Sequence, residues 1–119
     1  MANIKQSLED LLVVDGALCA AVVDSASGMM LGSAGAGVDL EVAAAGNTEV
    51  VRAKLKTMRQ LGLSDVIDDI LITLGRQYHI IRPVSRKEGV FIYFVLDKAK
   101  SNLALARRKT QDVERELAI

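Results

Sequence analysis

At 119 residues the chain has room for one domain, because two cores would leave each half marginal, and residues 1–119 are read as a single unit. Fifteen basic residues balance fifteen acidic ones, and only two Tyr and two Phe are available for stacking, so nucleic acid is not an expected partner. No apolar run has the length of a transmembrane segment, the first ten residues carry Lys5, Glu9 and Asp10 where a secretory leader needs an apolar core, and the single cysteine, Cys19, forms no internal disulfide. A cytoplasmic setting is therefore expected.

Ile4, Leu8, Leu11 and Leu12 recur at helical spacing behind Asn3 and Gln6, a capping pair, which predicts a short helix from residue 3 to about 14. Asp15-Gly16 ends it. Ala17 to Val23 is almost wholly apolar, and the turn residues 24–28 followed by Met29-Met30-Leu31 make a β-hairpin whose second strand is closed by Gly32, Gly35 and Gly37. From Asp39, an N-cap, the residues Leu40, Ala44, Asn47, Val51, Leu55 and Met58 trace one face of a long helix that Gly62 terminates. Three strands are expected next, Val66 to Leu74, Gln77 to Pro83 and Val90 to Leu96, joined by short loops into an antiparallel meander. A last helix begins near Ser101, with Leu103, Ala106, Thr110, Val113 and Leu117 on one face.

Two of the strands, Ala17 to Val23 and Val90 to Leu96, are apolar at nearly every position, as burial on both faces requires. Placing them side by side gives an α/β sandwich with a mainly antiparallel five-stranded sheet of order 2-1-5-4-3. The long helix takes one face and the terminal helices share the other. The strand Val66 to Leu74 then lies at an edge, where Ile70, Ile72 and Leu74, with neither Pro nor Lys among them, invite a symmetric pairing with a second copy. On the long helix, Ala43, Ala44 and Gly46 permit close approach, with Asn47, Val51 and Leu55 along the same stripe. These small residues suit either a helix of a second copy or the helix lying flat on its own sheet.

Catalytic chemistry finds little support. The run Gly32-Ser33-Ala34-Gly35-Ala36-Gly37 lacks the Gly-Lys-Ser/Thr ending of a phosphate loop and reads as a flexible connection. His79 and Cys19 are the single residues of their types, too few for a zinc site or a nucleophile with its base and orienting group. Asp65, Asp68 and Asp69 lack calcium-loop spacing. No catalytic residue, cofactor or metal is expected. Lys98, Lys100, Arg107 and Arg108 form a basic cluster that is either a docking patch for an acidic surface or membrane phosphates, or a solvated face.

Four stretches in order resemble the roadblock/LC7 family, in its bacterial form: Ala20-Ala21-Val22-Val23-Asp24-Ser25 leading to Gly28, then residues 69–75 (Asp69 to Gly75), then residues 77–83 (Gln77 to Pro83), and finally residues 102–107 (Asn102 to Arg107). The resemblance spans about Leu8 to Leu117. It implies a profilin-like fold and a homodimer or heterodimer whose sheets join through edge strands, with the two long helices antiparallel across one face. It also implies a small Ras-like GTPase as partner, and no nucleotide bound by the chain itself. The expected function is thus a non-enzymatic, dimeric protein-binding module. The alternative is a profilin- or PAS-like sensor that encloses a small ligand against the sheet.

Overall fold

The computed structural model describes residues 2–119. Helix α1 (Ile4–Leu12) opens the chain, and its cap is reciprocal: the Gln6 backbone N–H donates to Asn3 Oδ1 at 2.8 Å and the Asn3 N–H donates to Gln6 Oε1 at 3.2 Å. Strands β1 (Ala17–Asp24) and β2 (Met29–Gly35) form a hairpin. Its turn is fixed by Asp24, whose carboxylate accepts from the Ala26 N–H at 3.1 Å and the Ser27 hydroxyl at 3.2 Å. Helix α2 (Leu40–Gln60) is capped by Asp39, and strands β3 (Ile70–Thr73), β4 (Gln77–Pro83) and β5 (Val90–Asp97) follow as a meander. A short 3-10 turn, Lys98–Lys100, leads to helix α3 (Leu103–Glu116), capped by Asn102.

All neighbouring strands pair antiparallel, in the order β2-β1-β5-β4-β3. The two nearly all-apolar strands, β1 and β5, are adjacent as the sequence predicts. Alternation along them sends side chains to two separate cores. Ala20, Val22, Ile92, Phe94 and Leu96 face α1 and α3 and meet Leu8, Leu11, Ala106, Val113 and Leu117. Cys19, Ala21, Val23, Phe91, Tyr93 and Val95 face α2 and meet Ala44 and Val51. One long helix on one face and the two terminal helices on the other is the layering expected.

One strand length differs from expectation. The second strand ends at Gly35, one of the three glycines expected to close it, where φ is +80° and a Cβ would stand inside the carbonyl oxygen of Leu18. The edge strand is short: pairing begins at Ile70 opposite Ile81, not at Val66. Carrying that register back would set Asp68 beside Pro83, which has no N–H to give, and Asp69 is held toward α3 by Arg107, whose Nε and Nη2 each donate to its carboxylate at 2.8 Å. At the other end Leu74 lies just past the strand, its N–H donating to the Gln77 carbonyl at 2.8 Å.

The ends of the chain are tied together and to α3. Ala2 pairs with Leu117 in a parallel bridge, and the Arg86 guanidinium donates to the terminal α3 carbonyls of Glu114 at 3.1 Å and Leu117 at 2.6 Å. Glu114 is buried on this helix, with its carboxylate accepting from Arg82 Nε at 3.2 Å and Ser85 Oγ at 3.3 Å.

Candidate interaction face

The α2 side of the sheet is covered unevenly. Helix α2 packs on β1 and β2. Its sheet-facing stripe is Ala44, Thr48, Val51 and Met58, all buried, and the Thr48 hydroxyl donates to the Ala44 carbonyl at 2.8 Å, so a polar side chain sits in the core satisfied. Ala44 and Val51, picked out in the sequence for contact with a second copy, are thus turned onto their own sheet. The flat packing on the sheet accounts for both. Ala43 and Asn47 are half-buried at the border of the stripe, and Leu55 is 39% exposed.

The side of α2 turned away from the sheet carries Val42 at 68% exposure, Val50 at 37%, the exposed Gly46 and Ala53, and Leu61 at the C-cap. Steps of four and three residues (42, 46, 50, 53) put these on one outward stripe. A Cβ added to Gly46 would meet nothing within 4 Å. Beside the helix, Val50 and Met58 share an open groove with Leu63, Val66, Ile67 and Ile70, rimmed by Asp65 and Asp68.

The other half of this sheet face, over β3 and β4, holds Ile70, Ile72 and His79, all half-buried. Ile72 stands opposite His79, and β3 is hydrogen-bonded on one side only. A polar chain crosses the face from β5 to β4. The Tyr93 hydroxyl lies 3.0 Å from His79 Nδ1, with the rings edge to face at 84°, and His79 Nε2 lies 2.8 Å from Gln77 Oε1. At the near border of α2 the Asn47 amide donates to the Ala43 carbonyl at 2.8 Å. Because Gln77 Oε1 accepts, His79 Nε2 carries the proton and Nδ1 accepts from Tyr93. Burial pushes the Tyr93 hydroxyl up to about 12, with the nearby Cys19 adding to the rise, and pushes His79 below its ordinary value. The sequence shows Asn47 and His79 singly. The signal for the bond to His79 is Tyr93, the one polar-tipped side chain inside an otherwise apolar strand.

The remaining candidates are placed as follows. Burial raises the Cys19 thiol, which keeps it protonated and inert. Of the run from Gly32 to Gly37, the first four residues lie in β2, and the Asp39 carboxylate caps α2 by accepting from the Val42 N–H at 3.2 Å. Among the described residues no three His, Cys, Asp or Glu side chains are grouped to hold a metal ion: Asp69 binds Arg107 and Asp65 accepts from the Val66 N–H. The basic residues do not share one surface. Lys98 lines a recess with Arg76, Tyr78 and Asp97, whereas Arg107 and Arg108 line another with Asp68, Asp69 and Arg82. No helix among the described residues is long and apolar enough to cross a membrane.

No protein-family model matches the sequence, and no curated protein matches it either. Solved structures do. A roadblock/LC7 domain from Streptomyces avermitilis is similar over 97% of this chain and 94% of its own, with a TM-score of 0.82 at 9% identity. Myxococcus xanthus MglB is similar over 95% of this chain and 89% of its own, with a TM-score of 0.83 at 18% identity. A structure described as MglB with tetrameric arrangement covers 95% and 88%, with a TM-score of 0.71 at 17% identity. Helix placement, strand order and near-complete coverage in both directions agree, and the resemblance read from the four sequence stretches holds at the level of architecture: the chain has the roadblock/LC7 fold.

Proposed function

We propose that this chain is a non-enzymatic, protein-binding member of the roadblock/LC7 family that forms a two-fold dimer and serves as a cytoplasmic platform for a small Ras-like GTPase. The observation that carries this reading is the uneven cover of one sheet face. Ile70, Ile72 and His79 stay half-buried beside a free strand edge, and α2 turns Val42, Gly46 and Val50 outward next to them. Antiparallel pairing of β3 with its copy gives the edge N–H and C=O groups partners, and the family resemblance implies that the two α2 helices run antiparallel across the same face. The tetrameric arrangement of one MglB is in keeping with self-association in this fold.

The GTPase partner rests on the family resemblance. The experiment that tests it is affinity purification from the native host in the presence of GDP or of a non-hydrolysable GTP analogue, followed by identification of recovered proteins. Recovery of a Ras-like protein that depends on the nucleotide supports the reading, and its repeated absence overturns the GTPase assignment. Light scattering tests the dimer separately: a monomer at tens of micromolar removes the platform.

A further inference from the structure

We propose that the β3 seam is self-complementary in one register, centred on Ile72, in which Asp68 of each chain faces Arg76 of the other, so that the partner across the seam is a second copy of this chain. This inference rests on the dimer proposed above and names its partner.

The register follows from the backbone groups that β3 leaves free. The Leu74 N–H donates to the Gln77 carbonyl at 2.8 Å, and β3 pairs with β4 as Ile72 to His79 and Ile70 to Ile81. In an antiparallel ladder alternate residues bond the same neighbour. Leu74, Ile72 and Ile70 therefore bond toward β4, and Leu71 and Thr73 turn their N–H and C=O groups to the free edge. Two copies use all of these groups only when Leu71 of each meets Thr73 of the other. A slide of one residue sets outward groups against inward ones. A slide of two leaves one such pair within the strands, because β3 runs only from Ile70 to Thr73.

The matched register puts the two-fold axis between the two Ile72 residues, as a non-hydrogen-bonded pair, the closer of the two kinds. Ile70 packs with the core on the α2 side, and Ile72, two residues on, shares its face. The two Ile72 side chains thus meet on the strip that α2 leaves uncovered. Ile70 faces Leu74 of the other copy, so apolar meets apolar along the strip.

The ends of the seam carry opposite charge. Asp68 stands four residues before Ile72 and Arg76 four residues after it. The antiparallel register brings each Asp68 to the end that holds Arg76 of the other copy, twice by symmetry. Among the described residues neither side chain has an ion pair within its own chain. Asp65 lies with Asp68 in the groove beside α2, with Lys54 at its side, and Arg108 borders Asp68 from α3. At the other end Lys98 lies with Arg76, and the Asp97 carboxylate between them caps the Ala99 N–H at 2.9 Å. Of the remaining charges nearby, Asp69 is bound to Arg107 and Glu49 of α2 to Arg52. A partner of different sequence must bring a cation to one end and an anion to the other; this chain supplies both.

Two sets of variants test this in the full chain. Ile72→Cys should cross-link to its copy under oxidised glutathione, because about 4.5 Å between the Cα atoms of such a pair suits a disulfide. Leu71→Cys and Thr73→Cys should cross-link at least about tenfold more slowly, their copies being offset by two residues. The buried Cys19 makes the parent chain the uncross-linked control. Asp68→Arg or Arg76→Asp turns both end contacts repulsive, and sedimentation equilibrium at low salt should find the dissociation constant of either variant alone raised about tenfold. Mixed in equal amounts, the two variants attract at both ends, and their mixed dimer should match the parent within about threefold. Loss of a merely structural contact gives no such rescue. Cross-linking at position 71 or 73 in place of 72, or a mixture that associates no better than its components, overturns the self-complementary register alone. A parent chain that stays monomeric at tens of micromolar overturns the dimer reading and this inference with it.

Discussion

Glycine at position 46 of α2 is the sharpest probe of the outward face. It sits in the interior of a 21-residue helix, its φ is not positive, and a Cβ there would meet nothing within 4 Å. Nothing in the single chain requires it. A glycine in a helix interior costs about 1 kcal/mol relative to alanine through backbone entropy, so Gly46→Ala should stabilise the monomer by about that amount. For a chain of this length that corresponds to a melting temperature about 4 °C higher, measured by circular dichroism at a concentration below self-association. Leucine is nearly as good a helix former, so Gly46→Leu should keep most of the gain in the monomer. In the proposed dimer, however, its bulk stands where two helix backbones approach, and the dissociation constant should rise at least about tenfold, from an overpacking cost above about 1.4 kcal/mol. Opposite movements of fold stability and association distinguish an interface residue from a core residue. A lower melting temperature for Gly46→Ala would mean that the chain itself packs against this position. An unchanged dissociation constant for Gly46→Leu would place the contact elsewhere.

Three further substitutions test other links. Ile72→Lys puts a charge on the half-buried face of β3, and light scattering should find a monomer; a persisting dimer would move the seam off this edge. Glu114→Ala leaves Arg82, whose side chain is 14% exposed, without its carboxylate partner, and urea unfolding should report a loss of about 3 kcal/mol. A loss below about 1 kcal/mol would show that water takes over the role of the carboxylate. Gly35→Ala forces a left-handed backbone on a residue with a Cβ beside the Leu18 carbonyl, so it should cost more than about 2 kcal/mol in the same assay, and a neutral result would mean that β2 shifts freely at its end.

Much of the architecture was legible because its signals are local. Asn3 with Gln6 and Asp39 before Leu40 mark helix starts by the hydrogen bonds they make within three residues. The order of the strands followed from two runs that are apolar at nearly every position, since only the middle of a covered sheet tolerates them. What stayed hidden depends on residues distant in the chain. The start of β3 is set where Pro83 comes opposite on β4 and where Arg107 holds Asp69, contacts that the sequence of the strand itself does not announce. On α2, reading by apolar residues overlooked Thr48, which is buried because its hydroxyl bonds back to Ala44. The direction of Ala44 and Val51 was open, as small residues suit a sheet or a second helix equally, and packing on β1 and β2 decides it.

The uneven cover has a simple geometric origin. Five strands spaced about 4.8 Å apart present a face roughly 20 Å across, whereas a helix with its side chains is about 10 Å wide. Two helices are therefore needed per face. The face toward α1 and α3 has two, and the face toward α2 has one, seated on β1 and β2. The strip left over β3 and β4 is one helix wide and borders the free edge. A helix that lies on its own sheet and also meets a copy of itself must carry apolar or small residues on both sides. On α2 these are Ala44, Val51 and Met58 toward the sheet and Val42, Gly46, Val50 and Ala53 away from it. Glu49, seven residues after Val42, lies on the outward stripe itself, and its exposed carboxylate pairs with Arg52 at 3.2 Å along the helix. In the proposed dimer, pairing at β3 turns the two free edges into one seam and sets the uncovered strips of both chains next to each other.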